Sequence, residues 1–287
     1  MIEVDKLSFT YPGAAGATLE GLNFTIAQGE VYGLLGPSGA GKSTTQRILM
    51  GLLPGFNGTA RIFGQPIGAM GRAFYERIGV SFELPALYLR LTARENLQLF
   101  ASLYDSPTRD PLDVLALVDL DDAADQRIET FSKGMKMRLN LCRALLHDPD
   151  LLFLDEPTTG QDPARARMTR ALILKLKAEG KTVFLTTHNM AEAGEVCDRV
   201  GFLAHGHIPV TGTPEELKRS YGERVVDVTT HGNNALEKAT FPMDGIGKND
   251  TFLKLIAGRE VVSMHTQEAS LDDVFIRVTG VETGNRA

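Results

Sequence analysis

Cysteine is scarce in this chain. Cys142 and Cys197 are the only two in 287 residues, and they lie far apart, with no CxxC pair. Six histidines show no metal-ligand spacing around them either, which argues against a zinc site. The simplest reading is two packed, reduced thiols, each inside a helix, as suits the cytoplasm. Positive charge is also short. Lys and Arg total 30 against 36 Asp and Glu, and the net charge of −6 gives no global attraction to nucleic acid or anionic lipid, local basic patches aside. Long apolar runs are missing as well. None approaches the roughly 18 residues that a membrane helix needs, and the opening MIEVDKLSF lacks the charged-then-apolar layout of a secretory leader. The expectation is a protein soluble by itself with no nucleic-acid partner. Its length suffices for a substantial core, arranged as one large domain with an appendage or as two domains.

What the chain does have is glycine in a defined pattern. GPSGAGKS at 36–43 fits GxxxxGK[ST], a loop whose successive backbone N–H groups wrap phosphates while the next helix adds its positive end. Gly36, Gly39 and Gly41 are expected to take positive φ and let the backbone approach an anion. Lys42 reaches the β- and γ-phosphates, and Ser43 ligates Mg²⁺. Pro37, Ser38, Ala40 and Thr44 complete the cradle for ATP. EVYGLL at 30–35 reads as the buried strand that feeds this loop, and STTQRILMGLL at 43–53 as the helix that leaves it.

A second apolar strand, DLLFLDEP at 150–157, ends in two carboxylates. Asp155 suits Mg²⁺ in the manner of a Walker-B aspartate. Glu156, one residue further, is the candidate general base for an attacking water.

With these residues in place, the chain resembles the nucleotide-binding subunit of an ATP-binding cassette (ABC) transporter over roughly its first 220 residues. The order of motifs carries the resemblance: GPSGAGKS, then FSKGM at 131–135 where the family has an LSGGQ-like signature, LLFLDEP at 151–157, TTGQD at 158–162 as the D-loop, and LTTHN at 185–189 around a switch histidine, His188. The implied fold is an α/β P-loop NTPase with a β-rich N-terminal subdomain and an inserted helical subdomain at about 84–148. The ATP-binding domain would span 1–221.

The resemblance also implies a mode of action. Two nucleotide-binding subunits close head to tail, so that Ser132 and Gly134 of one contact the γ-phosphate held by the other. His188 would hydrogen-bond the γ-phosphate and keep Glu156 and the water in line. Tyr11 matches the ring that faces adenine, unless it is a surface tyrosine before a Pro-Gly turn. Integral membrane permease subunits would be the other partners, holding the protein on the inner face of the cell membrane. Pro85, Leu87, Tyr88 and Leu91 are candidates for their docking groove, or ordinary core residues.

Two positions depart from the family pattern. Glu83 stands where glutamine is usual; it can ligate Mg²⁺ but brings negative charge toward the γ-phosphate. Two unit charges 4 Å apart interact by about 4 kcal/mol at an effective dielectric near 20. Lys133 replaces a signature glycine, and in a closed dimer it could offset Glu83 of the other subunit or be an unrelated substitution.

The remaining sequence is read more coarsely. IEVDKLSFTY and LEGLNFTIAQGE look like strands joined by the turn at 12–17, and Thr92 with Glu95 makes a capping box ahead of a helix. MKMRLNLCRALL at 135–146 carries Leu139, Cys142 and Leu146 on one apolar stripe. After 160, helix, strand and helix alternate as in a parallel sheet, and 200–221 reads as a hairpin and helix with Pro214 at the first helical position. From 222 to 287 a small α+β extension is expected, with VVDVTT and FLKLIAG as strands and a Ser270–Asp273 capping box opening a final helix. Its LDDVFIRVTG ending resembles chains that accompany export permeases, and no site is assigned to it. The function implied is ATP hydrolysis powering transport, with export favoured. The competing class is a soluble ABC ATPase acting on ribosomes or DNA, which would normally show two cassettes, a long coiled-coil insertion or zinc-binding cysteines.

Overall fold

The computed structural model describes residues 1–281 except 223, 233, 234 and 268. They form two compact units that divide at Thr213 and Pro214.

The first unit opens with β1 (Ile2–Phe9) and β2 (Leu19–Ile26), which pair antiparallel. Ile2, Val4, Leu7 and Phe9 meet Leu19, Leu22, Phe24 and Ile26 on the buried face, the alternation that a one-sided sheet requires. β3 (Val31–Leu35), by contrast, is buried at every residue. It feeds α1 (Lys42–Leu49), a helix shorter than its apolar sequence suggests, because Met50 caps it and Gly51 turns left-handed at φ 74°. β4 (Asn57–Ile62) and β5 (Gln65–Pro66) complete a four-stranded antiparallel sheet in the order β2-β1-β4-β5.

Past α2 (Arg72–Tyr75) and β6 (Ile78–Ser81) the chain turns helical, as expected. The Thr92–Glu95 capping box is present at the start of α3 (Ala93–Ala101). α4 (Pro111–Ala116) follows behind the cap Asp110, and α5 (Lys133–Leu145) starts where Ser132 accepts from the Met135 N–H at 3.2 Å. Leu139, Cys142 and Leu146 are fully buried.

The chain then returns to β7 (Leu151–Asp155), α6 (Pro163–Ala178), β8 (Thr182–Thr187), α7 (Met190–Val196), β9 (Arg199–Phe202) and β10 (Thr211–Gly212). A six-stranded sheet results, ordered β10-β9-β3-β8-β7-β6 and parallel except for β10. Phe24, Tyr32 and Phe184 stack between the two sheets at centroid distances of 5.5 to 6.1 Å, with Phe153 edge-on to Phe184. Cys197 is not helical. It caps α7 in extended conformation, yet both thiols are buried, which pushes their pKa values up and leaves them inert.

The second unit holds α8 (Pro214–Tyr221), β11 (Val225–His231), β12 (Leu236–Pro242), α9 (Asp250–Gly258), β13 (Val261–Gln267) and α10 (Leu271–Thr279), with sheet order β12-β11-β13. Two expectations change here. The division falls at 213 rather than 221, because α8 packs against α10 and Arg277 donates to the Tyr221 carbonyl at 3.1 Å. FLKLIAG lies in a helix, not a strand: Asn249 accepts from the N–H groups of Thr251 and Phe252, and Phe252, Leu255 and Ile256 share the face that covers Val226 and Val228. The Ser270–Asp273 capping box is present.

Candidate active site

The sheet register brings the chemistry together. Leu35 pairs with Thr187 and Asp155 with Thr186, so β3, β8 and β7 end side by side. The loops after them carry Gly36 to Ser43, His188 and Glu156, at the carboxyl edge where open α/β sheets bind ligands.

The glycine loop is shaped by two different constraints. Gly39 has φ +83° with open space where a side chain would stand, whereas Gly36 has no positive φ, contrary to expectation. Its reason is contact: a Cβ there would lie 2.2 Å from the Leu203 carbonyl oxygen. Lys42 is buried, donates to the carbonyls of Gly36 at 2.8 Å and Pro37 at 3.1 Å, and lies 3.8 Å from Glu156 Oε1. Burial lowers its pKa, and the nearby carboxylates of Glu156, Asp155 and Glu83 oppose that shift.

Asp155 and Glu156 are 5% and 7% exposed, so each carboxylate must be satisfied by its neighbours. Ser43 Oγ donates to Asp155 Oδ2 at 2.9 Å, and the Thr186 hydroxyl donates to Oδ1. Glu156 sits at φ +50°, a left-handed backbone rare for glutamate. His188 Nδ1 is 2.8 Å from its Oε1, and Thr187 Oγ1 donates to its Oε2 at 3.1 Å. Gln46 ties α1 to this edge through the Leu154 carbonyl at 3.1 Å. Tyr11 is half-buried, edge-on to Phe9, with its hydroxyl 3.2 Å from Thr44 Oγ1. Glu83 is exposed just beyond β6.

Ser132 and Gly134 belong to a different place. They line a groove of about 410 Å³ with Gly160, Gln161, Asp162 and Arg165 of the D-loop region. The Lys133 side chain lies along Gly160, so it rests on its own D-loop. Thr158, Thr186 and Thr187 lie within motifs that the sequence shows but carry no individual role there, and Arg170 and Glu192 lie outside every motif. The paired threonines before His188 were the available signal; Arg170 and Glu192 had none, since their partners are distant in sequence.

Comparison with known proteins gives the family. A family model described as ABC transporter matches residues 19–159, and one described as fluoroquinolone efflux ABC transporter C-terminal domain matches residues 224–268. The chain is 50% identical over 281 residues, covering 98% of itself and 93% of the relative, to a fluoroquinolones export ATP-binding protein of Mycobacterium tuberculosis. This chain belongs to the ABC transporter family. It is an export-type ATP-binding subunit, and its reaction is ATP hydrolysis. The Nod factor export ATP-binding protein I of a Rhizobium species is 38% identical, with 92% of each chain covered. Among solved structures, the ATP-binding subunit of an ABC transporter aligns with TM-score 0.69 at 30% identity, covering 77% of this chain and 93% of that one. A dimeric ATP-binding cassette in a post-hydrolysis state with ADP and Pi aligns at 0.68 and 26%, covering 74% and 98%.

No helix among the described residues is long and apolar enough to cross a membrane. None of them form a cluster of three or more His, Cys, Asp or Glu that could hold a metal.

Proposed function

We propose that this ABC subunit pairs head to tail with a second nucleotide-binding subunit around ATP and drives export through integral membrane permease subunits, from the cytoplasmic face. The observation that carries this reading is the convergence of Lys42, Asp155, Glu156 and His188 on one sheet edge below the glycine loop. The backbone from Ser38 to Gly41 offers N–H groups to the phosphates, and Lys42 and Thr44 continue that cradle. Glu156 takes the proton of the attacking water. His188 fixes the carboxylate plane by its 2.8 Å contact and reaches the γ-phosphate. Ser132 and Gly134, at the start of α5, face the γ-phosphate bound by the partner. Tyr11 supplies the ring for adenine.

The residues fit Mg²⁺. Ser43 and Asp155 set two hard oxygen donors 2.9 Å apart, the sparse set that Mg²⁺ shares with phosphate and water oxygens, and Glu83 can add a third. The ion supplies neutralisation of phosphate charge.

The permease surface centres on residues 84–91. Tyr88 is exposed, as are Leu84 and Leu89 beside it, while Pro85, Leu87 and Leu91 are half-buried. The Mycobacterium relative supports an antibiotic of the fluoroquinolone type as the exported substance. The test is to isolate the Glu156→Gln protein from its host's membranes with ATP and Mg²⁺ and to measure fluoroquinolone accumulation in cells lacking the gene. Stoichiometric recovery of a polytopic membrane protein and raised accumulation are expected. Recovery of ribosomes or DNA-repair proteins without such a partner would overturn the transport reading, and unchanged accumulation would overturn the substrate.

A further inference from the structure

Glu192 occupies the third position of α7, whose N-cap Asn189 directly follows His188. A glutamate there ordinarily folds back to the N-cap N–H and closes a capping box. That N–H is already used: it donates to Thr187 Oγ1 at 3.0 Å, while Asn189 Oδ1 accepts from the Glu192 N–H at 3.1 Å. The Glu192 carboxylate is thereby free to leave its own helix. Its Oε2 accepts from the hydroxyl of Thr158 in the D-loop, and its Oε1 accepts from Arg170 of α6 at 3.1 Å. Arg170 also pairs with Glu195 at 2.7 Å, which holds the guanidinium toward α7. Glu192 and Arg170 are each only 16% exposed, so solvent screens the pair weakly.

Two connections therefore leave the first turn of α7. Thr187 accepts from the Asn189 N–H and donates its single proton to Glu156, whose carboxylate can only accept. Glu192 runs the other way, to Thr158. Glu156, Thr158, Thr187, His188 and Glu192 all border one groove of about 550 Å³.

We propose that Glu192 is a positioning residue that ties the D-loop to the His188–Glu156 pair, so that the geometry of 158–162 sets the alignment of the base. It acts through Thr158 and does not touch nucleotide. A plain ion pair joining α6 to α7 would instead support the fold and would not depend on the Thr158 hydroxyl. The proposal rests on the reading of Glu156 as base, and the two can fail separately. If Glu156→Gln keeps its turnover, the base assignment falls, while the coupling between Thr158 and Glu192 stays measurable.

The experiment is a double-mutant cycle on the full chain, with ATPase kcat and KM and thermal stability measured for Thr158→Val, Thr158→Ser, Glu192→Ala and the Thr158→Val/Glu192→Ala pair. Each of Thr158→Val and Glu192→Ala should lower kcat by about ten-fold with KM within about two-fold, and the double variant should be no slower than the worse single. Thr158→Ser, which keeps the hydroxyl, should retain at least about half of the activity. Multiplicative losses in the double variant would overturn the proposal. So would wild-type turnover in Thr158→Val, or losses that follow the melting temperature and KM. Should Glu192→Ala fail to fold, the contrast between Thr158→Val and Thr158→Ser still decides the point: equal kcat in the two refutes the role of the hydroxyl.

Discussion

Alanine at Gly36 and at Gly39 should both harm the glycine loop, but for opposite reasons. At Gly36 the new Cβ would stand 2.2 Å from the Leu203 carbonyl oxygen, against a floor of 3.0 Å for real contacts, so one backbone must move by nearly an ångström. Leu203 is anchored there by its N–H to Leu35 at 2.6 Å, and the Gly36 N–H reaches the Thr187 carbonyl at 3.4 Å. Overpacking costs about 1–3 kcal/mol and a weakened backbone hydrogen bond about 1 kcal/mol. A loss of about 2–4 kcal/mol follows, or roughly 4–16 °C in melting temperature. At Gly39 space is open and only φ +83° matters, worth about 1–2 kcal/mol. The second substitution separates the causes. Asparagine tolerates a left-handed backbone, so Gly39→Asn should regain much of what Gly39→Ala loses, whereas Gly36→Asn should be worse than Gly36→Ala. Thermal unfolding without nucleotide and titration with a fluorescent ATP analogue provide the readouts. Gly36→Ala melting like wild type, or asparagine rescuing both sites equally, would refute this account of the loop.

Other outcomes follow from the same geometry. Glu83→Gln removes one of the three carboxylates near Lys42 and a charge of the same sign as phosphate, so KM for ATP should fall; an unchanged or higher KM contradicts this. His147 is buried with Nε2 2.8 Å from the Ile78 carbonyl, and burial lowers its pKa. The unfolded histidine, near its usual value of about 6.5, therefore binds more protons than the folded one, and stability present above that pH is lost as pH falls below it. His147→Gln should flatten this acid limb below about pH 6.5, and equal slopes would refute it. Thr92→Ala removes the capping box of α3 and should cost about 1 kcal/mol in chemical unfolding, with ATPase per folded molecule unchanged.

The glycine loop, the paired carboxylates and His188 were legible in the sequence because each is a short local pattern lying at a strand end. The reason for Gly36 was not, since Leu203 meets it only after β9 pairs with β3. FLKLIAG is ambiguous in sequence because its apolar residues look the same at either period until Asn249 caps the turn. The boundary at 221 moved for a similar reason: α8 follows the ATP core in sequence but buries Leu217 within a unit where it packs on α10. The Thr158–Glu192–Arg170 network joins three separate segments, and no spacing within one segment announces it.

On the proposed function, Glu156 is the base of an ATP site completed by a second subunit. The most direct measurement is ATP turnover and oligomeric state, side by side, for wild type and Glu156→Gln in the presence of Mg²⁺. The variant should bind ATP, form a stable dimer detected by light scattering, and turn over at least about a hundred-fold more slowly. Wild-type turnover, or a variant that stays monomeric with saturating ATP, would contradict it.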